Sequence, residues 1–296
     1  MTRAGSDIVA QAYSGVMAAE GKVDEYGAPQ QLISSTYIDR TTGLSAAMGI
    51  CAALFSRAQT GKGQELHVSL LQNALELLSD KVMREPVHDA VIRDPLIEEI
   101  HAKRDSGARY DEIAAVRKQQ APRFASHRLY YGGFHTKRGA MVLGALTMQN
   151  RNTIRRILDM HDTTDDAAFN AADTENRRLI EEWRAQIQEK LLACDAEEWV
   201  GRFLEAGVPA SVVNQPEDMA DDPQVLAAGM VTELEHPMTG QQRVVAPLVR
   251  MSGTPTAVHG PAPTLAQHTR EVLLECGLSD DEISNLAAAA VVGLGD

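Results

Sequence analysis

The carboxylate best placed to do chemistry in this sequence is Asp39, in the tract Asp39-Arg-Thr-Thr-Gly43. It closes a short apolar run, Leu32 to Ile38, and stands three residues ahead of an apolar helix pattern that begins at Thr42. The positive end of a helix dipole favours the ionised form of a carboxylate there. Held in that way, Asp39 is a candidate nucleophile. On position alone the plainer role is an N-terminal cap for the Thr41/Thr42 helix. The nine histidines are scattered; His127 and His135 lie on strand-like segments that a hairpin would bring together, yet a loop histidine is usually solvated. The acidic groups Asp162/Asp165/Asp166, Asp218/Asp221/Asp222 and Asp280/Asp281/Glu282 lack the spacing of a calcium loop and lie where helices begin, so they read as solvated caps. Thr60-Gly-Lys-Gly63 follows a helix and precedes a strand, the reverse of a phosphate loop, and reads as a turn that leaves Lys62 available to an anionic ligand. No Walker A sequence, GxGxxG after a strand, GxSxG or HExxH is present, so NTP hydrolysis, a local dinucleotide site, serine esterase chemistry and zincin chemistry all lack their usual signature. Cys51, Cys194 and Cys276 have no CxxC spacing and read as free, mostly buried thiols.

The elements that must position these residues follow from periodicity and punctuation. Ser6 or Asp7 caps a helix from about Asp7 to Glu20, with Ile8, Val9, Ala12 and Val16 at helical spacing. From Thr42 to Gln59 small and apolar residues predict a tightly buried helix, broken at Gly61 and Gly63. A strand over Glu65–Ser69 and a helix through Leu70, Leu71, Ala74, Leu75 and Leu78 come next. Tyr130-Tyr131 and Met141–Leu143 read as a hairpin joined through Thr136–Gly139, and Val208–Val213 as a further strand. Ile154, Ile157 and Leu158 mark one helix; Ile180, Trp183, Ile187 and Leu191 mark a longer one. Asp195 with Glu198, and Ser279 with Glu282, have capping-box spacing.

The 296 residues are 44% hydrophobic, 23% charged and 4% aromatic, which describes a globular chain able to bury a core. The balance of 28 Lys+Arg against 41 Asp+Glu gives −13 at pH 7, which disfavours nucleic acid and anionic lipid as partners. The apolar stretch between Arg40 and Arg57 is too short to span a membrane, and Asp7 interrupts any signal-peptide core, so a cytoplasmic protein is expected.

Gly5-Ser-Asp-Ile-Val-Ala-Gln-Ala12 with Ser14-Gly15, then Asp39-Arg-Thr-Thr-Gly43, Ala53-Leu-Phe-Ser-Arg57 and Thr60-Gly-Lys-Gly-Gln64, resemble the family III CoA-transferases, the CaiB/BaiF family, in order and spacing. Ala206-Gly-Val-Pro209, Glu217-Asp218, Asp222-Pro-Gln224, Gly229-Met230, His236-Pro237, Gln267-His-Thr269, Glu271-Val-Leu273 and Gly277-Leu-Ser279 are similar to the family's C-terminal half. The resemblance implies that Asp39 attacks an acyl-CoA thioester to form an aspartyl anhydride, then an enzyme-CoA thioester, and that CoA passes to an acceptor carboxylic acid. It implies a CoA thioester as substrate and no permanently bound cofactor. It marks Asp7, Gln11, Thr42 and Gly43 as substrate or CoA-binding candidates, with backbone N–H groups at the start of the Thr42 helix available to an oxyanion.

The implied fold is α/β, with a large α/β domain, here partial, split around a smaller α+β domain in an interlocked homodimer. The expected segments are 1–90 with the catalytic tract, 91–120 as connector, 121–210 as the small domain, and 211–296 as the return to the large domain. Family members normally begin with a Rossmann-like segment that holds CoA, and this sequence begins after it, so a separate chain carrying that half is an expected partner. Nor does the glycine-rich loop of some members stand upstream of Leu129, where Arg117-Lys-Gln-Gln120 is found. Two alternatives stay open: a 2-methylacyl-CoA racemase, which usually has His where this chain has the poor base Ser6, and a non-catalytic partner or pseudoenzyme.

Overall fold

A computed structural model describes residues 5–120, 129–171 and 173–295. They form two compact units, one through Val212 and one from Val213. His127 lies outside the described residues.

In the first unit Gly15 divides the expected opening helix into α1 (Asp7–Ser14) and α2 (Val16–Glu20). Its φ of 93° is left-handed, so the chain turns where a continuous helix would need a negative φ. A loop leads to α3 (Tyr37–Thr60), which starts five residues before the expected Thr42 and places Asp39 inside its first turn. Gly61 ends it at φ 70°, donating its N–H to the Arg57 carbonyl at 2.8 Å. The expectation of a tightly buried helix is corrected: Ile38 is the buried residue of α3, while Met48 is 72% and Phe55 67% exposed. A small-residue pattern permits close approach, and among the described residues α1, α4 (Leu70–Glu76) and the side chain of Leu66, which approaches Gly49, make use of it. The expected strand over 65–69 is extended chain, with Leu66 and Val68 exposed. Among the described residues no strand supplies the ladder its backbone would need.

Ser69 caps α4 by accepting the Gln72 N–H at 3.1 Å. Short helices α5 (Ser79–Val82) and α6 (Pro86–His88) lead through a π-helical turn (Asp89–Arg93) to α7 (Asp94–Asp105) and α8 (Tyr110–Gln120).

The main core of the unit follows. β1 (Tyr131–His135), β2 (Ala140–Gly144) and β3 (Ala210–Val212) form an antiparallel sheet in that order, with Phe134 opposite Met141 and Met141 opposite Val212. Helices α9 (Met148–Leu158), α10 (Thr174–Leu191) and α11 (Ala196–Glu205) complete it. Ile180, Trp183, Ile187 and Leu191 recur on one helical face and meet Phe134, Met141 and Leu143 of the sheet in a single cluster.

Two cap expectations are corrected here. The Asp195 carboxylate does not close a capping box; it accepts from the Arg138 guanidinium, at 2.9 Å from Nε. Asp162 is no solvated cap either, because its side chain is fully buried against Arg155. Cysteine burial is corrected too: Cys51 and Cys276 are exposed and Cys194 is half-buried.

In the second unit a 3₁₀ turn (Pro216–Ala220) and α12 (Pro223–Ala227) precede a hairpin of β4 (Val231–His236) and β5 (Gly240–Val245). After an irregular run come α13 (Thr269–Glu275) and α14 (Asp280–Ala288), the latter with the expected Ser279/Glu282 capping box. Among the described residues no helix is long and apolar enough to cross a membrane.

Candidate active site

The site is built where α1 meets the start of α3. Ala10 of α1, Ile38 of α3 and Ala74 of α4 form a small buried cluster, in which the two short alanine side chains let their helices approach Ile38. That approach puts Asp7 beside a helix other than its own. Its Oδ2 accepts the backbone N–H of Ile38 at 2.8 Å and of Asp39 at 3.0 Å. Those are the second and third residues of α3, whose first-turn N–H groups have no partner within the helix. Thr36, at the cap position, supplies no side-chain bond, so a carboxylate from 31 residues away takes its place. The carboxylate also carries the charge that a helix N-terminus attracts.

Gln11 lies one turn beyond Asp7 on the same face of α1. Its Nε2 donates to Asp7 Oδ1, and its Oε1 accepts the Leu32 N–H at 2.9 Å. Both residues are buried, Asp7 8% and Gln11 1% exposed. The chain therefore runs from the Leu32 backbone through Gln11 and Asp7 into the first turn of α3.

Asp39 itself is exposed, and among the described residues its carboxylate makes no hydrogen bond or ion pair. It lines an open pocket of about 370 Å³ together with Ser6, Asp7, Ile8, Ser35 and Thr36. An unpaired carboxylate on an anchored backbone, facing an open hollow, can act as a nucleophile toward an electrophilic carbonyl. The expectation that the first turn of α3 serves an oxyanion is corrected. Tyr37 N–H goes to Ser35 O at 3.0 Å, Ile38 and Asp39 N–H go to Asp7, and Arg40 N–H goes to Thr36 O at 3.0 Å.

The other sequence candidates lie further along α3. Thr42 turns its hydroxyl back to the Ile38 carbonyl at 2.7 Å, a bond within its own helix. Gly43 is exposed, and a Cβ built there would meet nothing within 4 Å. The structure thus links Gln11 through Asp7 to the backbone of Asp39 and leaves Thr42 and Gly43 further along Asp39's own helix, α3. Thr36, which lines the pocket, carries no sequence signal of its own, and nothing in the apolar run that starts at Leu32 marks the Leu32 N–H as the anchor of Gln11. The spacing of Asp7 and Gln11 shows a shared helix face but cannot show which helix Asp7 caps.

The second unit has its own hollow of about 420 Å³, with Thr232, Met251 and Thr256 in its wall. Arg250 there donates to the Gly229 carbonyl at 2.6 Å and also to that of Ala228. Among the described residues lining it there is no carboxylate, cysteine or histidine.

Comparison with known proteins identifies the family. The family pattern of CoA-transferase family III matches residues 1–269. The human succinyl-CoA:glutarate CoA-transferase is 32% identical over 294 residues, 98% of this chain and 60% of that protein. The formyl-CoA:oxalate CoA-transferase of Escherichia coli O157:H7 is 26% identical over 277 residues, 93% of this chain and 64% of its own length. This chain thus spans somewhat under two thirds of the length of these relatives. In fold it is similar to Rv3272 from M. tuberculosis, with TM-score 0.64 and 19% identity over 91% of this chain and 64% of that one. A CAIB/BAIF family protein from Brucella suis matches with TM-score 0.60 and 21% identity over 92% of this chain and 63% of that chain. A match that runs through Asp7, Gln11 and Asp39 and reaches residue 269 leaves one assignment: the chain belongs to CoA-transferase family III.

Proposed function

We propose that this chain carries the nucleophile of an enzyme that moves CoA from an acyl-CoA thioester to a carboxylic acid, with Asp39 as that nucleophile. The observation that carries the reading is an exposed, unpaired Asp39 carboxylate on a backbone pinned by Asp7, at the edge of an open pocket. The carboxylate attacks the thioester carbonyl, forming a mixed anhydride and releasing CoA thiolate. The thiolate then attacks the aspartyl carbonyl, giving an enzyme-CoA thioester and releasing the donor acid. An acceptor carboxylate attacks that thioester to form a second anhydride and free thiolate, and the thiolate takes the acceptor acyl group and restores Asp39. Thioester is exchanged for thioester, so the cycle needs no external energy source. With the first turn of α3 occupied by Asp7, stabilisation of the tetrahedral oxyanion falls to other donors. The start of α1, which makes no side-chain cap bond and whose Ser6, Asp7 and Ile8 line the same pocket, offers such donors.

The relatives' names support short acyl donors and dicarboxylic acceptors as the substrate class. The exposed Leu44, Met48, Leu54 and Phe55 on α3 support the homodimer implied by the family pattern, since a surface of this kind is normally covered. The test is incubation with succinyl-CoA, intact mass measurement and hydroxylamine trapping. A modification mapping to Asp39, absent in Asp39→Asn, is the expected result. Wild-type chain left unmodified, or modified equally in the variant, would sink the assignment of the nucleophile.

A further inference from the structure

We propose that Asp7 and Gln11 are positioning residues for Asp39, joined in a hydrogen-bond relay whose direction is fixed at both ends by backbone donors. The inference rests on the reading of Asp39 as the nucleophile and adds to it what holds that nucleophile in place.

A backbone N–H can only donate. Leu32 N–H therefore obliges Gln11 to present Oε1 to it, which turns Nε2 toward Asp7. At the other end, Ile38 and Asp39 N–H require an acceptor on the same residue. Position 7 must accept from three donors, two of them backbone, and an ionised carboxylate is acceptor on both oxygens. Because both side chains are buried, a group left without its partner has no water to turn to.

This polarity dictates what each substitution does. In Asp7→Asn the side-chain oxygen still accepts from Ile38 and Asp39, but its NH₂ faces the NH₂ of Gln11. Flipping Gln11 only moves the conflict to Leu32. In Gln11→Glu, two carboxylates face each other in a buried site. The double exchange Asp7→Asn with Gln11→Glu resolves both conflicts. The glutamate then accepts the Leu32 N–H on one oxygen and the asparagine NH₂ on the other, while the asparagine oxygen accepts from Ile38 and Asp39. Net charge is unchanged, and only the direction of the central bond reverses.

The test uses the full chain as wild type, both single variants and the double variant, with two readouts. Amide hydrogen exchange follows Leu32, Ile38 and Asp39. Intact mass follows the rate at which succinyl-CoA modifies Asp39 over a range of thioester concentrations. Each single variant is expected to speed exchange at these amides by about fivefold, the scale of one net hydrogen bond. Each also lowers the maximal rate of modification and leaves the half-saturating thioester concentration unchanged. The double variant returns both readouts to within about twofold of wild type, which marks coupling between the two positions. Single variants indistinguishable from wild type, or a double variant as impaired as the two singles combined, would overturn the relay. A wild-type chain that succinyl-CoA never modifies would instead refute the nucleophile, and the exchange pattern would still decide the relay.

Discussion

Asp162→Ala tests how much the buried ion network contributes to the three-stranded sheet and its helices. Asp162 takes a forked pair of bonds from Arg155, Nε to Oδ2 and Nη2 to Oδ1, both at 2.8 Å. It also accepts the Thr164 N–H at 3.0 Å, the Thr164 hydroxyl and the Tyr130 hydroxyl. Its side chain is fully buried and that of Arg155 is 14% exposed. Removing one member of a buried ion pair costs about 3–5 kcal/mol. Arg155 keeps Asp165 at 2.7 Å, which pulls toward the lower end, and the stranded Tyr130 hydroxyl pulls back up. At roughly 2–4 °C per kcal/mol, the melting temperature falls by about 6–20 °C. Trp183 and Trp199 are the chain's two tryptophans and both lie in this core, so intrinsic fluorescence reports its melting. Burial pushes the Asp162 carboxyl upward, and the hydrogen bonds from Arg155, Thr164 and Tyr130 outweigh it, leaving the group well below the usual carboxylate range. A carboxyl lowered on folding gives its full stability above the ordinary value of 3.8 and loses it as pH falls toward the folded value. The gap between wild type and Asp162→Ala therefore narrows in acid. A fall of less than about 2 °C at neutral pH, no larger than for the exposed pair broken in Arg178→Ala, would refute the reasoning.

Two smaller perturbations probe other parts of the chain. Gly43→Ala removes a helix-weakening glycine at a place where the added methyl meets no atom within 4 Å. It should raise stability by up to about 1 kcal/mol in urea titration, and slower modification of Asp39 would show that a ligand approaches Gly43 closely; lower stability would count against the described packing. Ser279→Ala opens the capping box of α14 and should cost that helix about 1 kcal/mol, read as faster amide exchange over 280–288 with no change over 174–191; equal exchange in both proteins would show that the cap contributes nothing.

Features that depend on neighbours along the chain were legible before any fold was known. The Ser279/Glu282 box closes because donor and acceptor are three residues apart in any helix. Gly61 stops α3 because a left-handed residue there costs glycine least, and the spacing of Ile180, Trp183, Ile187 and Leu191 selects the buried face of α10 whatever lies opposite. Asp39 near the start of a helix was legible for the same reason.

Tertiary structure decided who partners whom across long separations. Asp7 caps α3 and not its own helix, which has no side-chain cap, and Asp195 takes Arg138 in place of its capping box. Asp162, in a cluster that looks solvated in sequence, is the most deeply paired carboxylate of the Arg155 network, because the turn after α9 folds it back onto that helix. The extended run over 65–69 and the small-residue surface of α3 follow the same rule. A strand or a buried face exists only where another element supplies its ladder or covers it, and propensity carries no information about that element's position. Asp39 shows both sides: local sequence put a carboxylate at the first turn of a helix, and packing across 31 residues brought the second carboxylate that holds that turn.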